Sequence, residues 1–352
     1  MRPLFLFFDF CPFCPFVRRK KGKISTPAEC DDNCSRDFLC LNDEPSTHSR
    51  FVVNRFFMCY SLFCVEKCSV QPGAGQQPSM PEFFKMELSA AQVKEKNMKA
   101  QHYEAIFKRK SFHLFRNVGE DSISPEELKE IETAYAGFEK LVPEIRTAIR
   151  ILPADRVNFK RDAEYCILIY SEKKENYLMN AGYIGEQMDL WLVEHHIGSL
   201  WFGIGKPDEP QFDGLEYVIM IAIRKVNDDA KYRKDMFKAK RKPLDEIWSG
   251  EDPGIASVSR FAPSACNTQP WFVKNEAGKL TVSRYKKPGK RGIMPAAAVS
   301  FYNRIDIGIY LCILEICMEK QNIPFQRTLF PDDGGDRGYT KSAEYVLQGK
   351  TI

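Results

Sequence analysis

The sequence predicts an α+β protein in which two similar halves, with central antiparallel or mixed sheets and long central helices, share one chain. Three observations predict it. Two long, mostly apolar helical runs occur, Tyr177–His196 and Tyr302–Gln321. Each is accompanied by short apolar runs of strand length, rich in β-branched and aromatic residues. The two helical runs also share a rough pattern, Tyr177…Ala181-Gly182 against Tyr302…Ile307-Gly308, and the order of elements repeats around them.

Residues 1–79 differ from the rest. They are rich in Phe and hold eight of the 12 cysteines, with no helical or strand period. The apolar start contains Asp9 and is followed, not preceded, by Arg18-Arg19-Lys20-Lys21, the wrong order for a secretory signal. Cys11-Pro-Phe-Cys14 has the spacing of a redox or metal knuckle but no second Cys pair or His pair at zinc-finger distance. The segment reads as a disordered extension. Val70–Pro81 reads as a linker, and Met80 or Met86 as a candidate start of the folded protein.

Ala90–Lys108 reads as a helix. Ser124-Pro125-Glu126-Glu127 marks a second helix start, with Ser as cap, Pro at the first position and Glu at the third. Tyr165–Tyr170 and Tyr217–Ile223 read as buried strands. Between them lies the helix Tyr177–His196, with Ala181, Gly182 and Gly185 allowing another helix close, and Gly198 as its stop. Ile255–Phe261 reads as a short helix. Trp271–Val273 and Leu280–Val282 read as strands joined by a turn at Glu276-Ala277-Gly278, and Phe325–Leu329 as a strand after the second long helix. The expected domains are 80–247, the first half, and 248–330, the second, with 331–352 as a surface tail.

Composition narrows the function classes. A content of 44% hydrophobic and 28% charged residues in 352 is ordinary for a soluble globular protein. The net charge of +4, without an arginine-rich arm, does not call for nucleic acid. No apolar run approaches the roughly 20 residues of a membrane span. Cys166, Cys266, Cys312 and Cys317 read as reduced, small apolar side chains, as in a cytoplasmic protein.

Four stretches carry candidate chemistry. Ala262–Trp271 packs two prolines, Ser264, Asn267, Gln269 and a Trp into ten residues. Unpaired polar groups cost free energy in a core, so this mixture suits a loop against a flat ligand with polar edges. Arg109-Lys110-Ser111 can grip a phosphate by a guanidinium fork and a hydroxyl; alone, it also fits a solvated helix end. Lys238-Ala239-Lys240-Arg241-Lys242-Pro243-Leu244 offers a second cation for the same phosphate, or a solvated linker. His196–Gly205 carries three glycines that let backbone approach a planar ring, or simply stop a helix.

Taken together, these residues resemble the FMN-dependent nitroreductases, over roughly residues 95–330. The resemblance implies that Arg109 and Ser111 hold the FMN phosphate with Arg241. It implies that Pro263, Ser264, Asn267 and Gln269 meet the isoalloxazine, and that Gly203 and Ile204 present backbone near N5. Ordinary members place the Pro-Ser-x-x-Asn loop soon after the second helix, on the dimer partner. Here Ala134–Ile151 has no such loop and the second half has no clear Arg-x-Ser. This resembles a tandem-half branch in which one chain imitates the dimer, as a monomer or weak homo-oligomer, with one complete flavin site and one degenerate site. The implied activity is NAD(P)H-dependent reduction of a nitroaromatic, quinone or similar acceptor. The alternatives are a non-catalytic FMN-binding or sensing module and a specialised flavin reductase or dehalogenase. No side chain is expected to act as catalytic acid or base; His195 and His196 read as packed or capping, and no metal is expected.

Overall fold

Ser124 starts a helix as its sequence requires. The hydroxyl accepts from the Glu127 backbone N–H, and the Glu127 carboxylate accepts from that of Ser124. This capping box opens α2, Pro125–Gly137. The protein is described by a computed structural model covering residues 102–157, 161–286, 292–332, 334–335 and 338–348. The expectations for residues 1–79 and for most of the helix at 90–108 lie outside the described residues. Residues 102–108 (α1) are helical.

Two sheets follow. The first contains β1 (Thr147–Pro153), β2 (Tyr165–Ser171), β3 (Ile197–Phe202), β4 (Gln211–Phe212) and β5 (Leu215–Lys225) in the order β1-β2-β5-β3, with β4 on β5, all antiparallel. Cys166–Tyr170 and Met220–Ile223 are buried without alternation, as expected for central strands covered on both faces. The second contains β6 (Trp248–Ser249), β7 (Trp271–Glu276), β8 (Lys279–Lys286), β9 (Phe325–Leu329) and β10 (Gly338–Leu347) in the order β6-β7-β8-β10-β9. All of its pairs are antiparallel except β6 with β7. The β7–β8 hairpin turns at Ala277 (φ 50°) and Gly278 (φ 82°), the two positive dihedrals that a tight hairpin needs.

The long helices α3 (Tyr177–Glu194) and α5 (Ala296–Lys320) pack on one another at the centre; between them in sequence lies the short α4 (Ala256–Ser259). A methyl group on Gly182 would overlap the Ile305 carbonyl, and one on Gly308 would overlap the Met179 carbonyl. Both crossings therefore need glycine. Helix α5 is long and apolar enough to span a membrane by length and composition, against the expectation that no apolar run approaches that length. Two thirds of the qualifying window is buried inside the protein, the pattern of a core helix.

Two expectations are corrected. Gly198 does not stop α3: His195 caps it, His196 turns the chain at φ 55°, and Gly198 already lies in β3, beside Phe112 and Val226 where a side chain has no room. The expectation of a surface tail over 331–352 fails at Gly338–Leu347. Strand β10 lies between β8 and β9 with Ala343 and Tyr345 fully buried. A bulge between Lys341 and Ala343 breaks its alternation, and the Lys341–Glu344 ion pair gives it a surface-like composition.

Candidate functional site

Arg109 leaves the end of α1 with almost no exposure, 4%. Its Nε donates to Asp189 Oδ2 (2.8 Å) and its Nη2 to Ser111 Oγ (3.3 Å). Asp189, on the buried face of α3, also accepts from the Ser199 hydroxyl and from the Trp201 indole N–H (2.9 Å). Ser111 forms a bridge with Ser199, and the Phe112 N–H donates to the Ser199 carbonyl at 3.0 Å, so this corner is set by β3. Burial opposes the Arg109 charge, but Asp189 and Glu186 outweigh it and hold the guanidinium above its ordinary value. Glu186 lies one helical turn before Asp189, fully buried, with neither carboxyl oxygen hydrogen-bonded. Burial, reinforced by Asp189, raises its carboxyl well above the usual range despite Arg109 and Arg241.

Three more arginines share this electrostatic neighbourhood. Arg241 Nη1 donates to the Ala239 carbonyl (2.7 Å) and Asn267 Oδ1 (3.0 Å), and Nη2 to the Phe261 carbonyl (2.9 Å); its buried Nε has no partner. Burial, then the like charges of Arg109, Arg233 and Arg260, push its guanidinium down to about 9. Arg233 is pushed down to about 10 by burial and Arg109. Arg260 lies over the Phe261 ring at 5.3 Å with its Nε buried and unpartnered. Arg233 and Arg241, lowered first by burial and then by the charge of Arg109, have no acidic ion-pair partner among the described residues, and that is the electrostatic signature of an anion site.

The polar loop is stitched to the Arg241 segment. Asn267 Nδ2 donates to the Lys240 carbonyl (2.8 Å). Gln269 Oε1 accepts from the Lys242 N–H (2.8 Å), and Lys242 Nζ donates to the Gln269 carbonyl (2.8 Å). Ser264 Oγ accepts from the Gln269 N–H at 2.9 Å. Cys266, Asn267 and Gln269 all have φ near +50°, costly for residues with a Cβ and sustained here by those bonds. The Ala265 N–H donates to Asp306 Oδ1 of α5 (2.9 Å); Oδ2 is buried without a partner, and burial raises this carboxyl to about 8. On the other side, the Tyr302 hydroxyl of α5 donates to the Gly203 carbonyl (2.6 Å), and a methyl group on Gly203 would lie 2.6 Å from the Tyr302 ring. Ile204 beside it is 65% exposed.

The structure thus links Arg109 with Ser111, and Arg241 with Asn267, Gln269 and Ser264, while Gly203 and Ile204 meet α5 through Tyr302. Pro263 is buried at the loop's start. The side-chain amides of Asn267 and Gln269 are occupied within the loop and its neighbour, so they shape the backbone. Trp271, expected to border the ligand, is fully buried and stacks on Tyr310 at 4.7 Å. Sequence reasoning missed Glu186, Asp189, Ser199, Arg233, Arg260 and Asp306. For the carboxylates the signal was present, as acidic residues within otherwise apolar helices. A cavity of about 420 Å³ between α1 and the end of α3, and one of about 270 Å³ beside Asn176 and Arg304, are lined by other residues; charge, not hollow volume, marks the arginine site.

The family model described as "Putative TM nitroreductase" matches residues 101–318. The chain belongs to this nitroreductase family. Among solved structures, the chain is similar to a "putative nitroreductase" of Thermotoga maritima at 20% identity and a TM-score of 0.46, over 70% of this chain and 94% of that one. It is similar to a nitroreductase family protein of Clostridium difficile 630 at 17% identity and a TM-score of 0.33, over 43% and 98%. A third, a nitroreductase family protein of Clostridium novyi NT, has 18% identity and a TM-score of 0.29, over 39% and 89%. No curated protein matches the chain.

Proposed function

We propose that this member of the nitroreductase family is an FMN-dependent oxidoreductase that uses NAD(P)H. The observation that carries the reading is the uncompensated positive charge around Arg241, beside a strained polar loop. That charge fits a phosphate: Arg241 and Arg260 each keep a buried Nε without a partner. Arg109, Ser111 and Arg241 would hold the phosphate, and the backbone of Pro263, Ser264, Asn267 and Gln269, with Gly203 and Ile204, would border the ring. FMN, when bound, would supply the redox chemistry for electron transfer from NAD(P)H to a nitroaromatic, quinone or similar acceptor. The protein's part is to bind and orient. Asp189 fixes the Arg109 fork, and Asn267 fixes Arg241. The buried loop anchor at Asp306 holds the Ala265 amide in place.

We further propose that one chain stands in for a dimer and carries one flavin. The matching orders β1-β2-β5-β3 and β7-β8-β10-β9 support this, as do the reciprocal crossings of Gly182 and Gly308. The Asn180 carboxamide accepts from the Val142 N–H as Asp306 does from that of Ala265. Where α3 offers Asp189 to Arg109, α5 offers Glu315, which is already occupied by Arg327, Tyr183 and Tyr345. The test is spectroscopic. Purified protein should carry about one flavin per chain, bleach with NADH or NADPH, and recolour with a nitro compound. Protein that retains no flavin after incubation with FMN refutes the reading, and two flavins per chain refute the single site.

A further inference from the structure

Beside the Arg109–Arg241 site lies a second group of cations that the proposed FMN phosphate does not account for. The Arg233 N–H donates to the Lys108 carbonyl (2.9 Å), which pins the segment after β5 against the end of α1. The Tyr232 ring meets the Phe112 ring edge-on at 5.5 Å, so Lys231 and Arg233, on either side of Tyr232, lie beside the segment that carries Lys110. Burial, then the charges of Lys231 and Arg233, lower the Lys110 ammonium, which lies 4.7 Å from the centre of the Phe112 ring. Among the described residues, none of the three side chains has an acidic partner. The nearby acid Asp229 is turned toward His196, at 3.5 Å. Arg233 is half-buried and its backbone is bonded to the residue just before Arg109, so the two groups adjoin. A protein stabilises adjoining like charges poorly by itself, and folding that gathers three of them without a counter-charge leaves a place for an anion.

We propose that Lys110, Lys231 and Arg233 form a second phosphate subsite, adjoining the one built on Arg109 and Arg241. The ligand class is a molecule that brings an additional phosphate group next to the first. Two sources share that chemistry: the 2′-phosphate of NADPH, and the second phosphate of a dinucleotide flavin. The subsite deepens the flavoenzyme reading but has its own readout. Inorganic pyrophosphate spans two adjoining phosphate positions, and inorganic phosphate fills only one.

The test is titration of the full chain with pyrophosphate and with phosphate, for wild type, Arg233→Gln and Lys231→Gln. Wild type should bind pyrophosphate about tenfold more tightly than phosphate, and each substitution should remove most of that preference, the effect of losing one charge-assisted contact. Equal preference in wild type and both variants overturns the proposal. The same variants, loaded with flavin, identify the source. A rise in the half-saturating NADPH concentration with NADH unaffected points to the 2′-phosphate. Weaker FAD with unaffected FMN points to the dinucleotide flavin. If the protein takes no flavin but still tells pyrophosphate from phosphate through Arg233, the subsite stands and the flavoenzyme reading falls. If it takes flavin and Arg233→Gln changes none of these quantities, the subsite falls alone.

Discussion

Replacing Asp306 by Asn should remove a pH dependence of stability. Asp306 is fully enclosed on α5, its Oδ1 holds the Ala265 N–H, and its Oδ2 has no partner. Burial raises the folded-state carboxyl from 3.8 to about 8. Between those values the folded protein keeps a proton that the unfolded chain releases. Stability from this group is therefore complete below about pH 4 and is lost as pH rises toward about 8. The slope is about 1.4 kcal/mol per pH unit, so about 2.7 kcal/mol disappears between pH 5.5 and pH 7.5. Asparagine keeps the acceptor for Ala265 and cannot ionise. The stability difference between Asp306→Asn and wild type, measured by urea denaturation, should thus shift in favour of the variant by roughly that amount over those two units. A difference that is the same at both pH values would refute the placement of a neutral acid under the loop.

Other expectations follow from particular contacts. Gly308→Ala should destabilise the protein by about 3 kcal/mol, because the added methyl drives the two long helices apart at the Met179 carbonyl; a denaturation midpoint within error of wild type would contradict the crossing. Arg109→Ala should cost about 3 kcal/mol by stripping Asp189 of its buried cation, and should weaken flavin retention as well, whereas Ser111→Ala should weaken retention with little effect on denaturation. Asn267→Asp should pair with Arg241, cancel charge meant for a phosphate and lower FMN affinity, read by fluorescence titration; unchanged affinity would remove Arg241 from the site.

The elements were legible where local chemistry is strong. Ser124 and Glu127 announce α2, and the uninterrupted apolar runs of β2 and β5 announce buried strands. Strand β10 was hidden because its bulge breaks the period-two pattern and its ion-paired Lys341 and Glu344 look like surface. The start of α5 was hidden because Ala296–Ser300 carries little helical signature beyond alanine propensity. At the site, motif chemistry picked out Arg109 and Arg241, but partnership depends on distance between remote segments. No spacing rule links Arg233 to Lys108, or Asp306 to Ala265. The amides of Asn267 and Gln269 show the same limit: their type is right for a ligand edge, and the fold gives them neighbours of their own.

The reciprocal glycine contacts between α3 and α5 bear on how the nascent protein matures. A ribosome releases α3 long before α5 has been made. Until then the groove along Gly182 is bare, and the earlier sheet cannot seal its interior. The chain must therefore wait, partly assembled, for its own later residues, and a product truncated before α5 would leave a sticky, unfinished core exposed to chaperones and proteases.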